Sequence, residues 1–187
     1  MSAAATTTPA DIRIRALHPG DHDAVAELIL ASYIEGGHLD PDDGYRHVLA
    51  DVASRAELAE ILVAEVHAAD GTRVAGSVVL TPPGSPLAET AREGEYEFRM
   101  LAVHPGFHRR GIARALLTAV IDRARAADGV HTLVLTTMRS MVDAHRLYES
   151  AGFVRAPERD WMLRDVFPEL PPEAEGGPYL VYVLPLG

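Results

Sequence analysis

The chain has 187 residues, 27 acidic and 17 basic side chains, a formal net charge of -10 and no cysteine. With 48% hydrophobic residues, that length suits one domain with a real core. The missing cysteines exclude disulfides, thiolate zinc sites and cysteine nucleophiles, and the acidic balance argues against nucleic-acid partners, which select a basic surface.

Residues 1–10, rich in Ala and Thr, are expected to form a flexible tail,. They lack the basic start and apolar run of a signal peptide. No apolar stretch approaches the ~20 residues of a membrane span. A cytoplasmic chain without a membrane partner is the simplest expectation, with residues 11–187 as a single domain.

Asp11–Leu17 alternates polar and apolar residues, as a half-buried strand does,. Asp21–Ile34 reads as a helix with Val25, Leu28 and Ile29 on one face, ended by Gly36 and Gly37,. Residues 40–60 mix loop and helical patterns. Ile61–Val66 and Val74–Leu80 read as strands joined by a hairpin at Asp70-Gly71,. The Pro- and Gly-rich run at 81–86 is a loop.

Glu95–Val103 is the next strand. It leads through His104-Pro105-Gly106 into an Arg-rich segment and a helix whose apolar face carries Ile112, Leu116, Val120 and Ala124,. Arg109, Arg110 and Arg114 crowd the start of that helix. Cations there oppose the helix dipole, and a bound anion would remove the conflict. Phosphate suits the place, because a helix N-terminus offers unpaired N–H groups. Gly111 would let a ligand approach the backbone.

Leu133–Thr137 follows as a strand, completing a strand–helix–strand unit, most simply a parallel, right-handed crossover. Ser140 and Asp143 read as a capping box opening a helix with Ala144, Leu147, Tyr148 and Ala151 on one face,. Gly152 stands at its C-terminal cap. Phe153–Arg155 begins another strand, residues 159–177 read as a Pro- and Glu-rich loop, and Tyr179–Leu184 is a final strand. The pattern is α/β, a single mixed sheet flanked by helices, antiparallel early and with a parallel crossover late.

Two segments carry a resemblance. His108-Arg109-Arg110-Gly111-Ile112-Ala113 is similar to the acetyl-coenzyme A signature of the GNAT family of N-acetyltransferases, Gln/Arg-x-x-Gly-x-Gly/Ala, with His108 in place of Gln or Arg. Leu101-Ala102-Val103-His104-Pro105 is similar to the end of the strand that precedes it. Ala144-x-x-Leu147-Tyr148-x-x-x-Gly152-Phe153 resembles the family's later helix and strand, with Met141 where an Asn is common.

The resemblance implies acetyl transfer from acetyl-CoA, as co-substrate and without a metal, to an amine of a small molecule or peptide. The cofactor contacts would come from Leu101, Ala102, Val103, His108, Arg109, Arg110, Gly111, Ile112, Ala113 and Arg114. Tyr148 would protonate the leaving thiolate, a task that suits a neutral acid with pKa about 10. Glu97 would act as the base, with Glu95 and His145 open beside it. A backbone N–H near Leu101 or Val103 would polarise the thioester oxygen. The rival expectation is a non-catalytic acyl-CoA binder or sensor of the same fold. A homodimer is left open. Every basic side chain is Arg, so the chain has no lysine for a thioester to modify.

Overall fold

The computed structural model describes residues 12–68, 71–168 and 176–187. The expected tail, Asp11, Asp70 of the hairpin and the middle of the 159–177 loop lie outside the described residues.

The strands are β1 (Ile12–Ala16), β2 (Glu60–Ala68), β3 (Gly71–Thr81), β4 (Glu95–Val103), β5 (Thr132–Thr137), β6 (Val154–Arg155) and β7 (Leu180–Pro185). The helices are α1 (His22–Glu35), α2 (Arg46–Ala50), α3 (Val52–Leu58), α4 (Ile112–Arg125), α5 (Val142–Ser150) and α6 (Leu163–Val166). The strands form one mixed sheet in the order β1-β2-β3-β4-β5-β7-β6.

β1 and β2 pair antiparallel, from Ile12↔Val66 to Ala16↔Leu62. β4 and β5 pair parallel, from Glu95↔Thr132 to Phe98↔Leu135, with α4 as the expected crossover. β7 then lies antiparallel against both β5 and β6.

By contact density the chain divides into two compact units, residues 12–79 with 100–119, and residues 80–99 with 120–187. In the first, Val25, Leu28 and Ile29 of α1 pack with Leu49, Val52, Ile61, Val63, Val79 and Ala102. These positions of α1 recur at i, i+3 and i+4, which is why one face of that helix is buried. Ile61, Leu62, Val63 and Ala64 of β2 are all buried, so this strand is covered on both faces and does not alternate. Gly76 of β3 marks the seat of α4. A Cβ there would lie 2.8 Å from Ile112 Cγ2, 3.0 Å from Leu116 Cδ1 and 3.1 Å from the Ala102 carbonyl. Only glycine lets the helix start come this close.

In the second unit, Val134, Ala156, Trp161 and Val181 form a core with Ala91, Leu163, Val166 and Phe167 packed against it. Trp161 stacks on Tyr179 at 4.5 Å. The segment read as a loop after Arg159 contains the single turn α6. The Asp165 carboxylate accepts from the Met162 N–H at 2.7 Å, a local bond that starts a helical turn.

Candidate active site

A 3-10 turn at Pro105–Phe107 leads into the signature segment, and the His104 side chain accepts from the Gly106 N–H there. Two residues of the segment then take left-handed backbone, Arg109 at φ 59° and Gly111 at φ 83°. Left-handed and right-handed residues in succession turn backbone N–H groups toward one concavity, the arrangement of anion-binding nests. A Cβ on Gly111 would meet nothing within 4 Å. The demand for glycine here is therefore conformational, and the space beside it is open.

His108, Arg109, Arg110, Gly111 and Arg114 are exposed, while Ile112 is buried and fixes the first turn of α4. Arg110 lies over the Phe107 ring at 5.1 Å. The His108 ring Nε2 stands 3.1 Å from the Val103 carbonyl, which ties this residue to the end of β4. Ala115 N–H donates to the Gly111 carbonyl at 3.0 Å, so the first helical hydrogen bond closes behind the segment. An exposed basic loop, left-handed backbone at Arg109 and Gly111 and a helix start are together suited to an anion such as a pyrophosphate,. Within β4 itself, Met100 has φ 50°, uncommon for a residue with a side chain. It precedes Leu101, Ala102 and Val103, and no glycine announces it in the sequence.

The carboxylates of β4 behave unlike solvated strand residues. Glu97 is fully buried. Its carboxylate accepts from the backbone N–H groups of Glu89 at 3.0 Å, Thr90 at 2.8 Å and Ala91 at 2.9 Å, and from the Thr90 hydroxyl at 3.3 Å. Glu95 accepts from Arg159 at 3.0 and 2.8 Å and from the Arg92 N–H at 2.9 Å. Burial, the largest single influence, pushes the Glu95 carboxyl up, but the Arg159 hydrogen bonds, the Arg92 N–H and the charges of both arginines together hold the group below the usual range.

Glu89, which the sequence did not single out, completes this cluster. Its carboxylate pairs with Arg99, whose other nitrogen donates to the Leu87 carbonyl at 2.6 Å. Burial pushes the Glu89 carboxyl up to about 7, with Arg99 pulling the other way and Glu97 adding a smaller push.

Tyr148 lies on the other face of β4. It is buried and meets Phe98 edge-on at 5.8 Å, with Phe153 at 6.0 Å and Tyr182 at 6.2 Å. Phe98 and Glu97 are successive strand residues and point to opposite sides. The structure therefore does not place Tyr148 and Glu97 on one face. His145 sits beside Tyr182 at 5.7 Å, its Nε2 3.0 Å from the Met138 carbonyl.

The N-cap position of α5 falls one residue after the expected Ser140. Met141 is the N-cap of α5, without a side-chain cap bond. The Met141 N–H turns back to the Met138 carbonyl at 3.1 Å, which starts the helix one residue later and takes Asp143 out of the capping register. The C-terminal end is as expected, with Gly152 at φ 95°.

Among the described residues, no group of three His, Cys, Asp or Glu side chains could hold a metal ion. No described helix is long and apolar enough to cross a membrane.

A model of the Acetyltransferase (GNAT) family matches residues 23–153. A [ribosomal protein bS18]-alanine N-acetyltransferase from Haemophilus ducreyi is 45% identical over 53 residues, which is 28% of this chain and 36% of that protein. The match thus spans about a third of that relative's length. A GNAT-family acetyltransferase structure from Staphylococcus aureus Mu50 superposes with a TM-score of 0.67 at 16% identity, covering 94% of this chain and 99% of that one. The yncA structure from Salmonella typhimurium, solved with its cofactor acetyl-CoA, gives a TM-score of 0.62 at 21% identity over 95% of both chains. The shared fold, the match across most of the chain and the residues at the start of α4 agree, and this chain belongs to the GNAT acetyltransferase family.

Proposed function

We propose that this protein transfers an acetyl group from acetyl-CoA directly to an amine. The observation that carries this reading is the segment His108–Arg114. It combines left-handed backbone at Arg109 and Gly111 with exposed arginines at the mouth of a 14-residue helix. Its backbone N–H groups and the arginines would hold the pyrophosphate of coenzyme A. His108, tied to the Val103 carbonyl, would serve more as a brace of the loop than as a direct phosphate ligand.

When bound, acetyl-CoA supplies the activated acetyl thioester. Leu101, Ala102 and Val103 would run beside its arm, and a backbone N–H there would polarise the thioester oxygen as charge develops. Tyr148 would donate its phenolic proton to the departing thiolate. The ring is fixed by Phe98 and Phe153, so its orientation costs little at the moment of reaction. Deprotonation of the acceptor would fall to the carboxylate cluster built around Glu97, whose Oε2 holds the 89–91 backbone. Direct transfer needs no enzyme nucleophile and no metal.

The acceptor is taken to be an amine of a small molecule or a peptide. The likeness to an enzyme named for the alanine of a ribosomal protein makes a peptide with N-terminal Ala the first probe. The test has two parts. Calorimetry should show binding of coenzyme A, and thiol release should follow when acetyl-CoA meets an accepted amine. Binding without release across peptides, polyamines and amino alcohols would instead support the non-catalytic acyl-CoA binder.

A further inference from the structure

We infer that the Ser77 hydroxyl is a ligand contact, and that it donates to a neutral carbonyl on the acyl-bearing arm of coenzyme A. The inference rests on the acetyl-CoA reading and adds a side chain of β3 to that site.

A buried hydroxyl needs a hydrogen-bond partner. Three serine or threonine side chains are buried among the described residues, Ser77, Thr81 and Thr137. Thr81 donates to the Glu97 carbonyl at 2.7 Å, and Thr137 to the Met141 sulfur at 3.7 Å. The Ser77 Oγ has no partner among the described residues, although Ser77 is only 1% exposed. An alanine would fill the place without leaving a polar atom unserved. The strand therefore carries a hydroxyl that the fold does not use.

β3 fixes where that hydroxyl points. Gly76 faces α4, since a Cβ there would meet Ile112 and Leu116. Successive strand residues face opposite sides. Ser77 thus faces away from α4, as does Val79 two residues on, which packs with α1. The neighbouring strand at this level is the end of β4. The His104 N–H donates to the Ala75 carbonyl at 2.9 Å, and the Ala102 carbonyl would lie 3.1 Å from a Gly76 Cβ. These two contacts set residues 75–77 against 102–104. Ser77 adjoins Ala102, within the segment proposed to accompany the arm.

The surroundings select the chemistry of the partner. Ile61, Val63, Val79 and Ala102 belong to one apolar cluster on that face. A phosphate or an ammonium there would be an ion without a counter-charge, which is costly. A neutral carbonyl asks only for one donor, and a serine hydroxyl supplies one. The arm of acetyl-CoA offers such carbonyls in its amides and in the acetyl thioester. Met100 is the neighbour able to make room. It is half-buried against the same cluster, its backbone is left-handed at φ 50°, and its thioether chain repacks readily,.

The test is calorimetry on the full chain with three probes: acetyl-CoA, coenzyme A, and the bisphosphorylated adenosine half of coenzyme A, which lacks the arm. The variant is Ser77→Ala, with thermal melts of the ligand-free protein alongside. Removing a hydroxyl that the fold does not satisfy should raise Tm by about 2 °C or more. The same change should weaken acetyl-CoA about three- to tenfold, the worth of one hydrogen bond, and leave the adenosine probe unaffected. Weaker acetyl-CoA with unchanged coenzyme A places the partner at the acetyl carbonyl. Equal weakening of both places it in the amides of the arm. Ser77→Ala with acetyl-CoA affinity within about twofold of wild type overturns the inference. So does an equal loss for all three probes with a lowered Tm, which marks a structural residue. Either result leaves the acetyltransferase reading standing as long as the wild type binds acetyl-CoA. A wild type that binds none of the probes overturns that reading, and this inference with it.

Discussion

Glu89 and Glu97 are joined main chain to side chain, the N–H of the first donating to the carboxylate of the second at 3.0 Å. One carboxylate thus fixes the loop that presents the other. Glu97 is fully buried and takes its donors mainly on Oε2, whereas Glu89 keeps an exposed edge and is pushed up to about 7 by burial.

That contrast has a stability signature. An acid whose pKa is raised on folding costs stability once the unfolded chain has ionised and the folded one resists. The sign is negative slope. Stability should fall from about pH 4.5, the ordinary value, to about pH 7, where the folded group has also ionised,. Glu89→Gln removes this cost. Denaturant melts at pH 5 and pH 8 should show the variant gaining on wild type with rising pH, by at most about 3 kcal/mol. A difference independent of pH would refute the buried-acid account.

Tyr148→Phe tests the proposed acid. The ring packing against Phe98 and Phe153 survives the change. Coenzyme A affinity by calorimetry should stay close to wild type, while kcat falls roughly 10²- to 10⁴-fold. Full turnover with intact binding would remove Tyr148 from the mechanism.

Gly111→Val tests the proposed pyrophosphate loop. A Cβ at this site meets no neighbour within 4 Å, so the harm comes from φ 83°, which a β-branched residue tolerates poorly. The loop should rearrange, and coenzyme A should bind at least tenfold more weakly, about 1.4 kcal/mol. Unchanged affinity would show that the phosphates are held elsewhere.

Gly76→Ala tests the seat of α4. The new methyl would press on Ile112 and Leu116 and on the Ala102 carbonyl. Of these only the side chains can yield. A loss of about 1–3 kcal/mol in a denaturant melt is expected for such overpacking. An unaffected midpoint would mean that the helix start shifts freely.

Much of this architecture can be read from periodicity and punctuation. The limits of β4, the buried positions Ile112, Leu116, Val120 and Ala124 of α4, and the glycine after α5 follow from local rules that one segment settles by itself. The pairing of β7 with β5 does not, because no residue of either strand names its partner. The same holds for the cluster at Glu97. Its donors are backbone N–H groups, which every loop possesses, so nothing in residues 82–94 marks Thr90 or Ala91 as partners. Glu89 looks like any loop carboxylate until the fold buries it. Met100 is opaque for the opposite reason, since its left-handed backbone contradicts what its side chain prefers. Ser140 and Asp143 show a further limit: the spacing of a cap was present, but a turn at Met138–Met141 placed the helix start differently.

The insertion of β7 between β5 and β6 bears on synthesis. Both of its neighbours emerge from the ribosome first, and each waits with a bare edge until Leu180–Pro185 arrives. A nascent chain paused after Asp160 would expose the Leu133–Leu135 edge, buried in the finished protein, to any passing strand. Such an edge is a template for wrong pairing. The speed of translation through the Pro- and Glu-rich stretch ahead of β7 thus becomes a factor in how much of the product folds, independent of how stable the folded product is.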